Sequence, residues 1–216
     1  MNRKMGGVTM AFAIALLAPK ITQAQGTTYL SNLGQPSTGS RAVGLESWVA
    51  AGFQAGTNAS GYVLDSVQLV ITEAFGNPSN FTAMVYANSP VGILPGSSLG
   101  TLNSSLNPAV GGVYTYTPSS NLTLSPRTPF FIVLTAGTRP ADGAYEWSHA
   151  GTNFYNPNDG WSGLSGVWTS GNGSFWARQT GDYLQYAINA TPIPEPGVFS
   201  LLILVGSGVL WYRRRL

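Results

Sequence analysis

Cysteine is absent from this 216-residue chain. No disulfide staples the fold and no thiolate site holds a metal, so stability has to come from a packed core. Charge is scarce as well: Asp, Glu, Lys and Arg make up 8% of the residues, against about 25% in an average soluble domain. Gly, Ser, Thr and Asn take the polar positions instead, which gives a neutral surface of hydroxyls and amides. Histidine occurs once, at position 149, so any histidine-based triad would have to use it. No glycine loop precedes a Lys-Ser/Thr pair, which removes the common nucleotide-binding motif. No repeat recurs at a fixed period, which argues against propellers and solenoids.

The few charges are unevenly placed. The sequence pI is near 9.0, yet Arg3, Lys4, Lys20, Arg213, Arg214 and Arg215 all lie in the two terminal segments. Between them the chain is acidic, with Arg41, Arg127, Arg139 and Arg178 set against seven Asp and Glu residues. A body without a basic stripe is a poor partner for nucleic acid.

The N-terminus carries "MNRK", then the apolar run "VTMAFAIALLA" and the polar "PKITQA", with Thr22 and Ala24 at small-residue positions. This is the pattern of a secretory signal peptide. Its apolar run is shorter than the ~20 residues that a membrane span needs. Residues 1–24 are therefore expected to be removed, leaving a mature chain that starts at Gln25.

From there the signals are β-type. "GYVLDSVQLVIT" puts Val67, Leu69 and Ile71 on one face with Gln68 and Thr72 on the other. "NFTAMVYA" alternates Phe81, Ala83 and Val85 with Thr82, Met84 and Tyr86. "PFFIVLTA" is a continuous apolar run suited to a strand covered on both faces. "TYLSNL", "SWVAAGFQA", "VYTYT", "YEWSHA" and "YLQYAINA" are further candidates, and "GNPSN", "NSPVGILPGSS", "TPSSN" and "GTRPADG" read as the turns between them. The expectation is one all-β domain, a β-sandwich or jelly roll over residues 25–190. A linker at 191–197 and a transmembrane helix with a basic tail at 198–216 would follow.

Chemistry-bearing residues are sparse in the body. Ser148 and His149 are neighbours in a strand pattern, so their side chains point to opposite faces and do not form a nucleophile–base pair. Glu46, Glu73, Glu146, Asp65, Asp142, Asp159 and Asp182 include no spacing that identifies a glycosidase pair. "NPNDG" at 156–160 fails the calcium-loop spacing and reads as a turn. Neither a cofactor nor a metal site is expected. Six Asn-x-Ser/Thr sequons, at Asn58, Asn80, Asn103, Asn121, Asn172 and Asn189, mark polar loops. Trp161, Trp168 and Trp176 cluster in "DGWSGLSGVWTSGNGSFWARQTG". Their rings either stack on sugars or close the core, and core closure is the favoured alternative because large aromatics dominate burial.

The C-terminal segment "PEPGVFSLLILVGSGVLWYRRRL" has a clearer logic. Fifteen residues from Val198 to Tyr212 carry no charge, and Pro196 suits the first turn of a helix. Such a helix spans roughly 22 Å, so it needs local thinning or snorkelling to cross a ~30 Å hydrocarbon core. Trp211 and Tyr212 suit the interface, and Arg213, Arg214 and Arg215 favour a cytoplasmic end, leaving the body outside the inner membrane. A buried core helix is the alternative, but core helices seldom end in three arginines.

Two resemblances follow from these residues. Pro194, Glu195 and Pro196, the apolar span and the arginine cluster resemble the PEP-CTERM sorting signal. That resemblance implies recognition of the three-residue motif by exosortase, a membrane-embedded cysteine protease of bacteria that make extracellular polysaccharide. The blocks "TTYLSNLGQ", "AAGFQAGTNASGYVLDSVQLVI", "MVYANSPVGILPGSSLGTL" and "YTYTPSSNLTLSPRTPFFIVLTAG" resemble the choice-of-anchor R domain, which implies a surface β-domain without assigned catalytic residues. Together they lead to the expectation of a non-enzymatic protein exported to the periplasm, cell surface or matrix, structural or adhesive in the extracellular polysaccharide. A secreted polysaccharide hydrolase is the alternative.

Overall fold

A computed structural model of the chain describes residues 26–153 and 157–195. Among them are fourteen strands: β1 (Thr27–Ser31), β2 (Gly39–Val43), β3 (Trp48–Gln54), β4 (Tyr62–Gly76), β5 (Thr82–Asn88), β6 (Pro95–Asn103), β7 (Gly112–Pro118), β8 (Thr123–Leu124), β9 (Pro129–Thr135), β10 (Gly143–Ala150), β11 (Ser162–Ser170), β12 (Ala177–Gln179), β13 (Tyr183–Leu184) and β14 (Tyr186–Pro192). The described residues contain no helix, and so none long and apolar enough to cross a membrane. The fold is all-β, as expected. The predicted signal peptide and the predicted C-terminal helix lie outside the described residues.

β4 is the spine because it is long enough to serve two neighbours on each side. Along one edge it pairs with β14 from Tyr62 to Leu69 and with β10 from Ile71 to Gly76. The other edge takes β8 and β7. From β7 the ladder continues through β6, β5, β9, β3 and β11 to β12, all antiparallel. β6 and β7 share only the pairs Leu102–Pro118 and Asn103–Thr117, and at this narrow seam the sheet curls back on itself. Val67, Leu69 and Ile71 of β4 thereby share one core with Phe53 of β3, Val85 of β5 and Ile132 of β9.

The period-2 pattern explains which faces meet. Val67, Leu69 and Ile71 are buried at 1% exposure or less, while Gln68 and Thr72 are only half-buried. β9 sits between β5 and β3 and is apolar on both faces for a reason the run itself hinted at. Ile132 and Leu134 enter the main core, whereas Phe131 and Val133 join a second cluster with Ala50, Met84, Tyr86 and Trp168. Trp48, Leu94, Leu164 and Trp176 cover that outer cluster. Fully burying such a side chain is worth about 1.5–3 kcal/mol, and with no disulfide these two clusters carry the stability.

The structure departs from the sequence-based boundaries in several places, and β2, β8 and β12 fall on segments not read as strands. The end of "NSPVGILPGSS" is strand, not turn, because β6 starts at Pro95, a position that a strand tolerates for proline. The tryptophan-rich stretch contains β11, bent by an irregular register between Gly163 and Val167. β14 continues to Pro192, two residues past the expected end of the domain at 190.

Buried tyrosines make stability depend on alkaline pH. Burial is the largest cause of raised pKa values at Tyr29, Tyr62, Tyr86, Tyr116 and Tyr145. A folded-state pKa above the unfolded value gives stability that is complete below the ordinary value of 10.0 and declines as pH rises through the folded one. In a spectrophotometric titration these five tyrosines should ionise later than in the unfolded chain, together with loss of the fold. Ionisation of all tyrosines at the unfolded value would contradict this.

Candidate functional site

The body holds its C-terminal strand up to one definite residue. β14 lies between β1 and β4, with Ala190 opposite both Thr27 and Leu64. Pro192, opposite Tyr62, is the last residue of the ladder. One more residue is tied down: the Ile193 amide donates to the Gly61 carbonyl at 3.0 Å, and Asn58 Nδ2 donates to the Ile193 carbonyl at 3.3 Å. Gly61 has φ +81°, and a Cβ there would lie 2.6 Å from the Leu124 carbonyl oxygen, so this anchor requires glycine. Pro194 has no N–H to continue the ladder, and Pro194 and Glu195 are exposed.

The antiparallel β1–β14 pair also brings the start of β1 beside the end of β14. The N-terminal and C-terminal segments therefore leave the body at one pole. Pro196, the apolar span and Arg213, Arg214 and Arg215 lie outside the described residues.

The three tryptophans fall in three environments. Trp161 is 1% exposed and stacks between Tyr29 at 5.1 Å and Phe53 at 6.0 Å, with Tyr62 edge-on at 4.9 Å. Trp168 is also 1% exposed; it meets Phe131 edge-on at 5.0 Å and donates its Nε1–H to the Ile93 carbonyl at 2.9 Å. Arg178 lies over the Trp168 ring at 5.4 Å. Trp176 is half-buried, with its Nε1–H donated to the Gly173 carbonyl. Core closure thus describes Trp161 and Trp168, and neither offers a free ring face. The open aromatic of this stretch is Phe175, 84% exposed, at a shallow groove that also includes Glu46.

Ser148 and His149 lie on opposite faces of β10. Ser148 is fully buried, its Oγ 2.5 Å from Gln185 Oε1 and 2.8 Å from Ser37 Oγ. His149 Nδ1 is 3.2 Å from Thr38 Oγ1 and 3.7 Å from Asp182, which is ion-paired with Arg41. The other acids with identified partners are dispersed. Tyr62 donates to Asp159 at 2.6 Å, Ser40 to Glu146 at 2.7 Å and Thr191 to Asp65 at 2.8 Å, while Glu46 pairs with Arg139 at 3.2 Å. Asp159 and Gly160 have φ 53° and 76° and form the turn read from "NPNDG". Among the described residues no group of three His, Asp or Glu side chains is placed to hold a metal ion.

A scan against protein-family profiles and a search of curated proteins both find no match to this chain.

Proposed function

We propose that this is an exported surface protein, routed through Pro194–Leu216 as a PEP-CTERM-type sorting signal and serving as a structural or adhesive component of extracellular polysaccharide. Exosortase and the inner membrane are its partners during sorting. The curled sheet is read as a β-sandwich that functions without catalysis.

One observation carries the proposal: the Pro-Glu-Pro motif begins one residue after Ile193, the last hydrogen-bonded position among the described residues, and is followed in sequence by an uncharged span and three arginines. Proline lacks an N–H to pair and biases the residue before it towards extended backbone, while the span would set the motif's depth and the arginines its orientation. The common pole of the two chain ends adds support, because a body held by its tail then has that pole towards the membrane. Its neutral surface suits a hydrated matrix of sugars.

The test is to graft residues 194–216 onto an exported reporter. A strain with exosortase should yield a shortened product outside the inner membrane, and a strain without it should retain the full-length fusion in that membrane. The same full-length, membrane-bound product in both strains would reduce the tail to a simple anchor.

A further inference from the structure

A second groove runs from the middle of the sheet towards the opposite pole. The loop after β6 runs back to the far end of β4, where the Ala74 amide donates to the Ala109 carbonyl at 3.0 Å. Ala74 is twelve residues along β4 from Tyr62, about 40 Å at the usual strand rise, and the groove extends back from there to Tyr116, which stands opposite Val67. This groove of ≈ 370 Å³ is within the ~300–1,000 Å³ range of small-molecule sites.

Its lining has a consistent chemistry. No charged residue contributes to it. Asn80, Asn103 and Asn107 supply amides, and Ser104 and Ser105 supply hydroxyls. Asn107 Oδ1 accepts from the Tyr145 hydroxyl at 2.8 Å, which fixes its amide while leaving the NH₂ to donate elsewhere. Phe81, half-buried, is the aromatic that the groove exposes, held 5.6 Å from the buried Tyr116 and 4.9 Å from the buried Tyr145. Tyr116 is only 3% exposed, and its buried hydroxyl has no hydrogen-bond partner. That hydroxyl is closed to solvent, so a bound hydroxyl would pair with it only once the lining residues above it shift. Asn80 holds φ 54°, a left-handed conformation that asparagine tolerates better than most residues.

The geometry points to this groove as a binding site for a neutral saccharide unit of a longer chain. Amide donors and acceptors suit sugar hydroxyls, and the half-buried Phe81 ring suits the apolar face of a pyranose ring. The lack of a cation disfavours phosphate or uronate ligands. An open groove running towards the pole away from the tail would let a polymer pass through while the other pole faces the membrane. The inference rests on the adhesive part of the proposed function and places that activity at named residues.

The test uses the full-length protein with cellohexaose and dextran as neutral probes, alginate as the anionic probe, and the host's purified matrix polysaccharide. The parent should bind a neutral probe and the host polysaccharide. Asn80→Gly, which keeps the backbone conformation accessible while removing the amide, and Phe81→Leu should each bind at least about tenfold more weakly, the loss of one good contact. Asn121→Ala, at a turn outside the groove, should bind as the parent does, and Asn80→Gly should unfold no earlier on heating. Unchanged binding by both groove variants, or binding of alginate alone, overturns the groove assignment but leaves the adhesive reading standing if the parent retains host polysaccharide. A parent that retains none of the polysaccharides overturns both.

Discussion

Replacing Glu195 by alanine should leave the precursor uncut at full length in the inner membrane, while the parent is shortened and leaves it. The effect is expected to be near all-or-none because recognition is concentrated in a short motif. Glu195 is exposed and has no hydrogen bond to the body, so its removal should change folding by no more than about 0.5 kcal/mol. The apolar span and the arginines remain, so insertion and orientation should be kept. Replacing Arg213, Arg214 and Arg215 together should fail in the opposite order, disturbing retention or orientation first. Fractionation and immunoblotting of both variants beside the parent separate the two outcomes. Equal shortening of the Glu195→Ala variant and the parent would make the motif a linker.

The exit geometry sharpens that experiment. Ile193 is fixed through Gly61 and Asn58, so a protease has little slack between the folded body and the motif. On the proposed sorting route, the body would then sit close to the membrane while the motif is read. This brings together two links that the sequence left separate: a strand ending at Pro192 and a proposed signal starting at Pro194.

Elements with strong local periodicity were legible from sequence. β4 alternated cleanly because one of its faces meets the core, and β9 read as continuously apolar because both of its faces are covered. β6 was missed since "PGSSLGTLN" is mostly exposed and lacks the apolar alternation that identifies a half-buried strand. β11 was hidden by glycine: Gly166 has φ +102°, and the register slips between Gly163 and Val167, which breaks the period of two. β12 has only 3 residues, too short for a pattern to develop, and the single strand read from "YLQYAINA" is divided into β13 and β14 at Gln185. The sequence also grouped Trp161, Trp168 and Trp176 by composition, whereas strand geometry separates them. Trp161 enters the main core and Trp168 projects into the outer cluster. The distal groove left no linear signal, because Phe81, Asn107 and Tyr116 meet only once the sheet has curled at the β6–β7 seam.

Truncation of Trp161 to alanine should cost about 3–5 kcal/mol, the usual range for a fully buried tryptophan. Against a total stability of about 5–15 kcal/mol, that is a large fraction, and it should lower the thermal midpoint by roughly 6–20 °C. The ring joins three strands: it stacks on Tyr29 of β1 and Phe53 of β3 and meets the edge of Tyr62 of β4. The site is also tightly shaped, since a Cβ on Gly56 would approach the indole to 2.5 Å. Neighbours so confined have little room to fill the cavity. Trp161→Phe should retain part of the stacking and cost less than the alanine variant. Trp176→Ala, at a half-buried position on the outer cluster, should also cost less. Because Tyr62 stands opposite Pro192, loosening this aromatic group should increase proteolysis near the exit of β14. Urea unfolding and limited proteolysis of the three variants provide the measurement. If Trp161→Ala kept parental stability and lost only polysaccharide binding, the ring would be a ligand contact and the core assignment would fail.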